Sequence, residues 1–207
     1  MDYIKNPEAI LAKSMEIVGR YTAGLGLAPV EERIYRRIIH TTGDPAIVSL
    51  INCHPDFVSR ACQIFRKKDF IIYTDVNMIK TGINEKRVTA LGGQVICRIS
   101  EPAVAAAAKN TGETRAMTAA RMSQDLLDGN MVVIGNAPTA LFTVLEMASR
   151  GVKPGVIVGT PVGFVGARES KELLAGAGIP YLTVRGTRGG STIAAAVVNA
   201  LLYSFEG

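Results

Sequence analysis

The chain has 207 residues, 48% hydrophobic and 20% charged, with a net charge of +5 and no tryptophan. That balance excludes a disordered or low-complexity chain and describes a globule with an aliphatic and alanine core, burying roughly 70% of its unfolded surface. Its basic residues are scattered, without a Lys/Arg tail or an aromatic-interleaved strand, so anionic ligands are expected and nucleic acid is not.

The opening Met1-Asp2-Tyr3-Ile4-Lys5-Asn6-Pro7 lacks the basic-then-apolar layout of a signal peptide. Asn6-Pro7-Glu8 has the N-cap, leading proline and acidic first turn of a helix, and Ile10, Leu11, Met15 and Val18 recur at helical spacing. An amphipathic helix is predicted over 7–21. Pro29-Val30-Glu31-Glu32 opens a second helix that runs to about Thr42 and stops at Gly43-Asp44-Pro45. Residues 46–67 are expected to be helical, with a break near His54-Pro55-Asp56. Strand 70–74, a helical patch near 84–90 and strand 94–97 follow. One helix is predicted from Glu101-Pro102 and another after Thr111-Gly112-Glu113-Thr114, reaching about Leu127. Strand 131–134, helix 137–150, strand 156–159, helix 167–176, strand 181–184 and helix 190–204 complete the chain.

This alternation predicts an α/β fold, a single domain over 1–207 with a mostly parallel sheet and helices on both faces. The runs at 131–134, 156–158 and 182–184 each break into glycine and polar residues, and the run at 70–73 into Thr74-Asp75-Val76-Asn77, before a helix-like stretch. In a parallel sheet these breaks share the carboxyl edge, where open α/β sheets bind ligands. The longest apolar stretch, Ile193 to Leu202, contains Asn199 and is about half the length of a membrane span. Cys53, Cys62 and Cys97 are too few and scattered for a disulfide framework. A soluble cytoplasmic protein with reduced thiols and no membrane partner is expected.

Within the second predicted helix, Arg33, Arg36, Arg37 and His40 share one stripe, opposite Ile34, Tyr35, Ile38 and Ile39. Such a stripe is either a solvated basic face or a wall facing an anionic ligand, with His40 able to exchange a proton. A histidine in the last helical turn is favoured as imidazolium by the helix dipole. His54, between Cys53 and Pro55, fits no zinc spacing and reads as structural. Gly159, Gly163 and Gly166 do not form a dinucleotide fingerprint, and there is no phosphate-binding P-loop or nucleophile elbow. These glycines suit close backbone approach to a bulky ligand, with helix-start N–H groups open to carboxylates. Asp44 and Asp75 read either as acid–base groups or as caps of the turns they begin.

In order and spacing, several segments together resemble the precorrin-8X methylmutase family of corrin biosynthesis, including its cobalt-precorrin-8 branch. They are Tyr3-Ile4-Lys5-Asn6-Pro7 with Ser14, Arg37-Ile38-Ile39-His40, Asp75-Val76-Asn77-Met78 with Gly82, and Asn110-Thr111-Gly112-Glu113-Thr114-Arg115. Gly135-Asn136-Ala137-Pro138-Thr139-Ala140-Leu141, Pro161-Val162-Gly163-Phe164-Val165 with Glu169-Ser170-Lys171, and Arg185-Gly186 with Gly189-Gly190-Ser191 complete the set. The resemblance implies an isomerase that moves a methyl group from C-11 to C-12 of precorrin-8X or cobalt-precorrin-8, without external cofactor or metal. It implies His40 as the catalytic histidine, Ser14, Arg37, Thr81 and Arg115 as substrate contacts, Asn136 and Thr139 as pocket residues, and a homodimer. A non-catalytic corrin carrier and an enzyme acting on a phosphorylated metabolite are the competing expectations.

Overall fold

The computed structural model describes residues 3–205. Met1 and Asp2, where the reading against a signal peptide begins, lie outside them, as do Glu206 and Gly207.

Helix α1 (Pro7–Thr22) starts where the Asn6 side chain accepts the Ala9 N–H at 2.8 Å, and α2 (Pro29–Thr42) ends on Gly43 in the left-handed region at φ 64°. A 3-10 turn over Pro45–Leu50, capped by Asp44, leads into β1 (Ile51–Cys53). Helix α3 (Phe57–Phe65), β2 (Ile71–Thr74), α4 (Asn77–Gly82), α5 (Glu85–Ala90) and β3 (Gln94–Ile96) follow. After these come α6 (Pro102–Thr111), α7 (Arg115–Arg121), α8 (Gln124–Leu127), β4 (Met131–Ile134) and α9 (Pro138–Ser149). The chain closes with β5 (Val156–Gly159), α10 (Ala167–Ala175), β6 (Tyr181–Val184) and α11 (Ser191–Ser204).

The strands form one sheet in the order β1-β6-β5-β4-β2-β3, parallel except for β1, which runs antiparallel to β6 with Ile51 opposite Val184. Every residue of β4, β5 and β6 is buried, as expected of strands covered on both faces. The pleat divides their side chains between two cores. Met131, Val133, Val156 and Val158 pack with α2, α3 and α11, whereas Val132, Ile134 and Ile157 pack with α7, α9 and α10. The expected fold class is therefore the one observed.

Two expectations fail locally. Residues 46–67 are not one interrupted helix, because Ile51–Cys53 hydrogen-bonds to the edge of β6. Three residues are too few to show strand periodicity, and the pairing partner is about 130 positions away in sequence. The helix expected up to Leu127 is split at Met122–Ser123, where the Ser123 hydroxyl bonds back to the Ala119 carbonyl at 2.7 Å. The short helix α4 was not predicted at all.

The first helix also differs from an ordinary amphipathic one. Of its apolar stripe only Val18 is buried, while Ile10 and Leu11 are exposed. Its attachment to α2 is largely polar. Arg36 donates to Glu32 at 2.6 Å and to the Thr22 hydroxyl at 3.1 Å, with its guanidinium against the Cα of Gly19. Glu32 is held below the usual carboxylate range by these bonds from Arg36 and Thr22.

Candidate active site

The chain leaves β2 toward β3 at one edge and leaves β4 toward β5 on the other side, although β2 and β4 are neighbours. That reversal makes a switch point at the carboxyl ends of β2 and β4, the position where doubly wound sheets bind ligands. Asp75, the residue directly after β2, lies there. The buried Asp75 carboxylate accepts the N–H groups of Gly135, Asn136 and Ala137 at 3.1, 3.0 and 2.8 Å, fixing the loop after β4. Burial pushes its carboxyl above the usual range, partly offset by those three donors. Asp75 is a loop cap, the structural alternative of the sequence reading.

Gly135 lies against the first turn of α11. A Cβ there would sit 2.9 Å from Ala194 Cβ and 3.0 Å from Ser191 Cα, so only glycine allows the approach. Helix α11 begins on Gly190 at φ 121° without a side-chain cap, leaving its first N–H groups available to an anion. Thr192, the second residue of α11, lines a recess of about 430 Å³ with Arg37, His40, Thr41 and Gly82. The first turn of α11 thus links the loop after β4 to the surface carrying His40.

His40 is exposed in the last turn of α2, whose Ile34, Tyr35, Ile38 and Ile39 are buried as the stripe pattern requires. On its other side a groove of about 250 Å³ is lined by Ser14, Ile17, Tyr21 and His40. Arg37 also borders a third recess, of about 550 Å³, with Leu11, Met15 and Tyr203. Of the four residues of the basic stripe, Arg36 is spent on the clamp to α1, and Arg33, Arg37 and His40 stay out of the ion pairs among the described residues. The end of α2 is anchored by Asp44, which caps the 3-10 turn through the Ala46 N–H and pairs with the Arg188 guanidinium from the β6–α11 loop.

Ser14, Arg37 and His40 therefore share one surface. Thr81 stands beside it: Asn199 of α11 donates to the Gly82 carbonyl at 2.8 Å and accepts the Asn84 N–H at 2.9 Å, pinning the end of α4 to α11. The Thr81 hydroxyl itself donates to the carbonyls of Asn77 and Met78 in its own helix. Arg115, Asn136 and Thr139 form a second group. Thr139 and Thr114 share a hydroxyl hydrogen bond of 3.1 Å, and Thr114 caps α7, in which Arg115 comes first. None of these three lines the recesses around His40. Sequence reasoning missed the N-terminus of α11 and Asn199 as organisers of the site. The glycine pair before Ser191 was the available signal for the first, whereas nothing local marks Asn199.

His54 is structural: its Nδ1 accepts the Asp56 N–H at 3.1 Å and its ring meets Tyr181 edge-on. Among the described residues no three His, Cys, Asp or Glu side chains cluster as metal ligands. Burial pushes the Cys53 thiol up to about 12, so it is not a nucleophile at neutral pH.

The precorrin-8X methylmutase (CbiC) family pattern matches residues 9–204. The chain is 42% identical to a precorrin-8X methylmutase of Pseudomonas aeruginosa, over the full length of both, and 40% identical to a cobalt-precorrin-8 methylmutase of Salmonella typhimurium, over 98% of both. A crystal structure of precorrin-8X methylmutase from Thermus thermophilus superposes with a TM-score of 0.86 at 34% identity, covering 95% of each chain. No helix among the described residues is long and apolar enough to cross a membrane. With its fold and nearly its whole length matched, the chain belongs to the precorrin-8X methylmutase family, a family of isomerases.

Proposed function

We propose that this protein moves a methyl group from C-11 to C-12 of precorrin-8X or cobalt-precorrin-8, giving hydrogenobyrinate or cobyrinate, with His40 as proton donor to the macrocycle. The observation that carries this reading is the grouping of His40 with Ser14 and Arg37 on a surface linked, through the first turn of α11, to the sheet's carboxyl edge. The substrate is a large, flat, apolar disc with acetate and propionate arms. Arginine forks and uncapped helix N–H groups suit the arms, and aliphatic and glycine-lined walls suit the disc. Arg37, Arg115 and the start of α11 take the carboxylates; Ser14, Thr81, Asn136 and Thr139 orient the ring.

In the proposed step His40 donates a proton, or a strong hydrogen bond, to a ring nitrogen near the migrating carbon. The conjugated system then accepts electron density as the C-11–methyl bond breaks and the C-12–methyl bond forms, and the proton returns to the imidazole. General acid catalysis contributes about 10²- to 10⁴-fold, and holding the ring in a reactive geometry supplies more. The exposed apolar stripe of α1, with Ile10, Leu11, Ile17 and Tyr21, supports a homodimer that covers it.

His40→Ala is expected to bind the corrin product normally and lose most turnover, by roughly 10²-fold or more. Visible spectra of precorrin-8X mixed with excess enzyme follow the rearrangement directly. Near-normal turnover in the variant removes His40 from the chemistry, and an unrearranged chromophore on the wild-type protein makes it a carrier instead.

A further inference from the structure

A separate cavity of about 300 Å³ opens at the carboxyl end of β6, between that strand, β1 and α10. It shares no lining residue with the recesses around His40. Asn52, Arg168, Lys171, Glu172, Thr183 and Arg185 line it. Arg168 is neutralised by Glu172, at 2.7 Å. Lys171 and Arg185 have no carboxylate partner among the described residues.

Lys171 is the unusual member. Its side chain is 2% exposed, and of its three N–H donors one is used, toward the Arg188 carbonyl at 2.6 Å. A buried ammonium without a counter-charge is costly, and such groups are ordinarily paired. A second cation, Arg185, lines the same cavity with a planar fork suited to two oxygens. Asn52 adds an amide donor from the neighbouring strand.

We propose that this cavity is an oxyanion site, taking a carboxylate or phosphate group between Lys171 and Arg185 with Asn52 as a third donor. The ligand sets negative charge between the two cations and accepts from the idle N–H groups of Lys171. Its source is either a free small anion or one carboxylate arm of a larger polycarboxylate.

The test follows the side-chain NMR signal of Lys171, assigned with Lys171→Met, while acetate or inorganic phosphate is added to the full chain. Saturable shifts are expected with a dissociation constant on the order of 1 mM, weakened roughly tenfold or more in Arg185→Gln and unchanged in Arg150→Gln. Arg185→Gln alters an exposed residue, so it keeps the test informative if Lys171→Met folds poorly. Adding cobyrinate separates the sources: displacement of phosphate from Lys171 identifies a carboxylate arm, and simultaneous binding identifies a free anion. An unsaturable response at Lys171, or equal affinity in Arg185→Gln and wild type, overturns the proposal. Neither result touches the role of His40, which the turnover of His40→Ala decides independently.

Discussion

Replacing Lys171 by methionine exposes how much stability the fold gives up to bury an ammonium. Burial lowers the Lys171 pKa from its ordinary 10.5 to about 8. Between these values the unfolded chain holds the proton and the folded chain does not, so stability rises with pH through that window. Below pH 8 both states are charged and the folded one carries the full penalty; above 10.5 both are neutral and the penalty is gone. At about 1.36 kcal/mol per pH unit the window is worth roughly 3 kcal/mol. The assay is urea unfolding of wild type and Lys171→Met from pH 7 to 10.5, in buffers free of phosphate and carboxylate. Thiols titrate there too: burial raises Cys53, Cys62 and Cys97, which lowers stability as pH climbs past their ordinary range. Those contributions are common to both proteins and cancel in the difference. The wild type is expected to gain on the variant by roughly 3 kcal/mol between pH 7 and 10.5. A difference that stays flat with pH refutes the argument that Lys171 is a desolvated ammonium.

Asp75→Asn keeps one acceptor and turns an amide NH₂ toward backbone donors, so it should cost about 2–4 kcal/mol in urea unfolding at neutral pH. It should also weaken corrin binding, because the loop carrying Asn136 and leading into α9 with Thr139 loses its anchor. Arg36→Ala and Arg37→Ala, neighbours in sequence, should separate. The first is expected to lose about 1 kcal/mol of stability with the clamp between α1 and α2, and the second to raise KM for the corrin substrate with the thermal midpoint unchanged. Tyr73 is fully buried, and its hydroxyl has no hydrogen-bond partner among the described residues. Tyr73→Phe should therefore leave stability unchanged or raise it by about 1 kcal/mol in denaturant titrations, since a desolvated, unpaired hydroxyl is removed.

The strands 70–74, 131–134, 156–159 and 181–184 were legible because each is a short apolar run with β-branched residues that breaks into polar or glycine-containing sequence, which is a local signal. The alternation of these runs with helices was enough for the sheet class. Ile34, Tyr35, Ile38 and Ile39 on one side of α2 and His40 on the other followed from the 3.6-residue period alone. By contrast, β1 owes its existence to β6, and α4 is held by Asn199 through bonds spanning more than a hundred residues. Interactions over such distances leave no mark on the sequence window where the element forms.

The functional residues divide the same way. The stripe in the second helix named Arg37 and His40, and the family resemblance named Ser14, Thr81, Arg115, Asn136 and Thr139, all on expected helices or turns except Thr81, whose helix α4 had no local signal. Periodicity made Arg36 and Arg37 equal members of one basic stripe; only the packing of α1 on α2 assigned Arg36 to Glu32 and Thr22 and left Arg37 at the recess. It likewise took the folded chain to make Asp75 a cap and to strand Lys171 beside an unpaired arginine. Local backbone preferences and side-chain periods are properties of a few consecutive residues, so the sequence carries them. Which cation finds a carboxylate, and which is buried without one, depends on elements brought together by the whole fold.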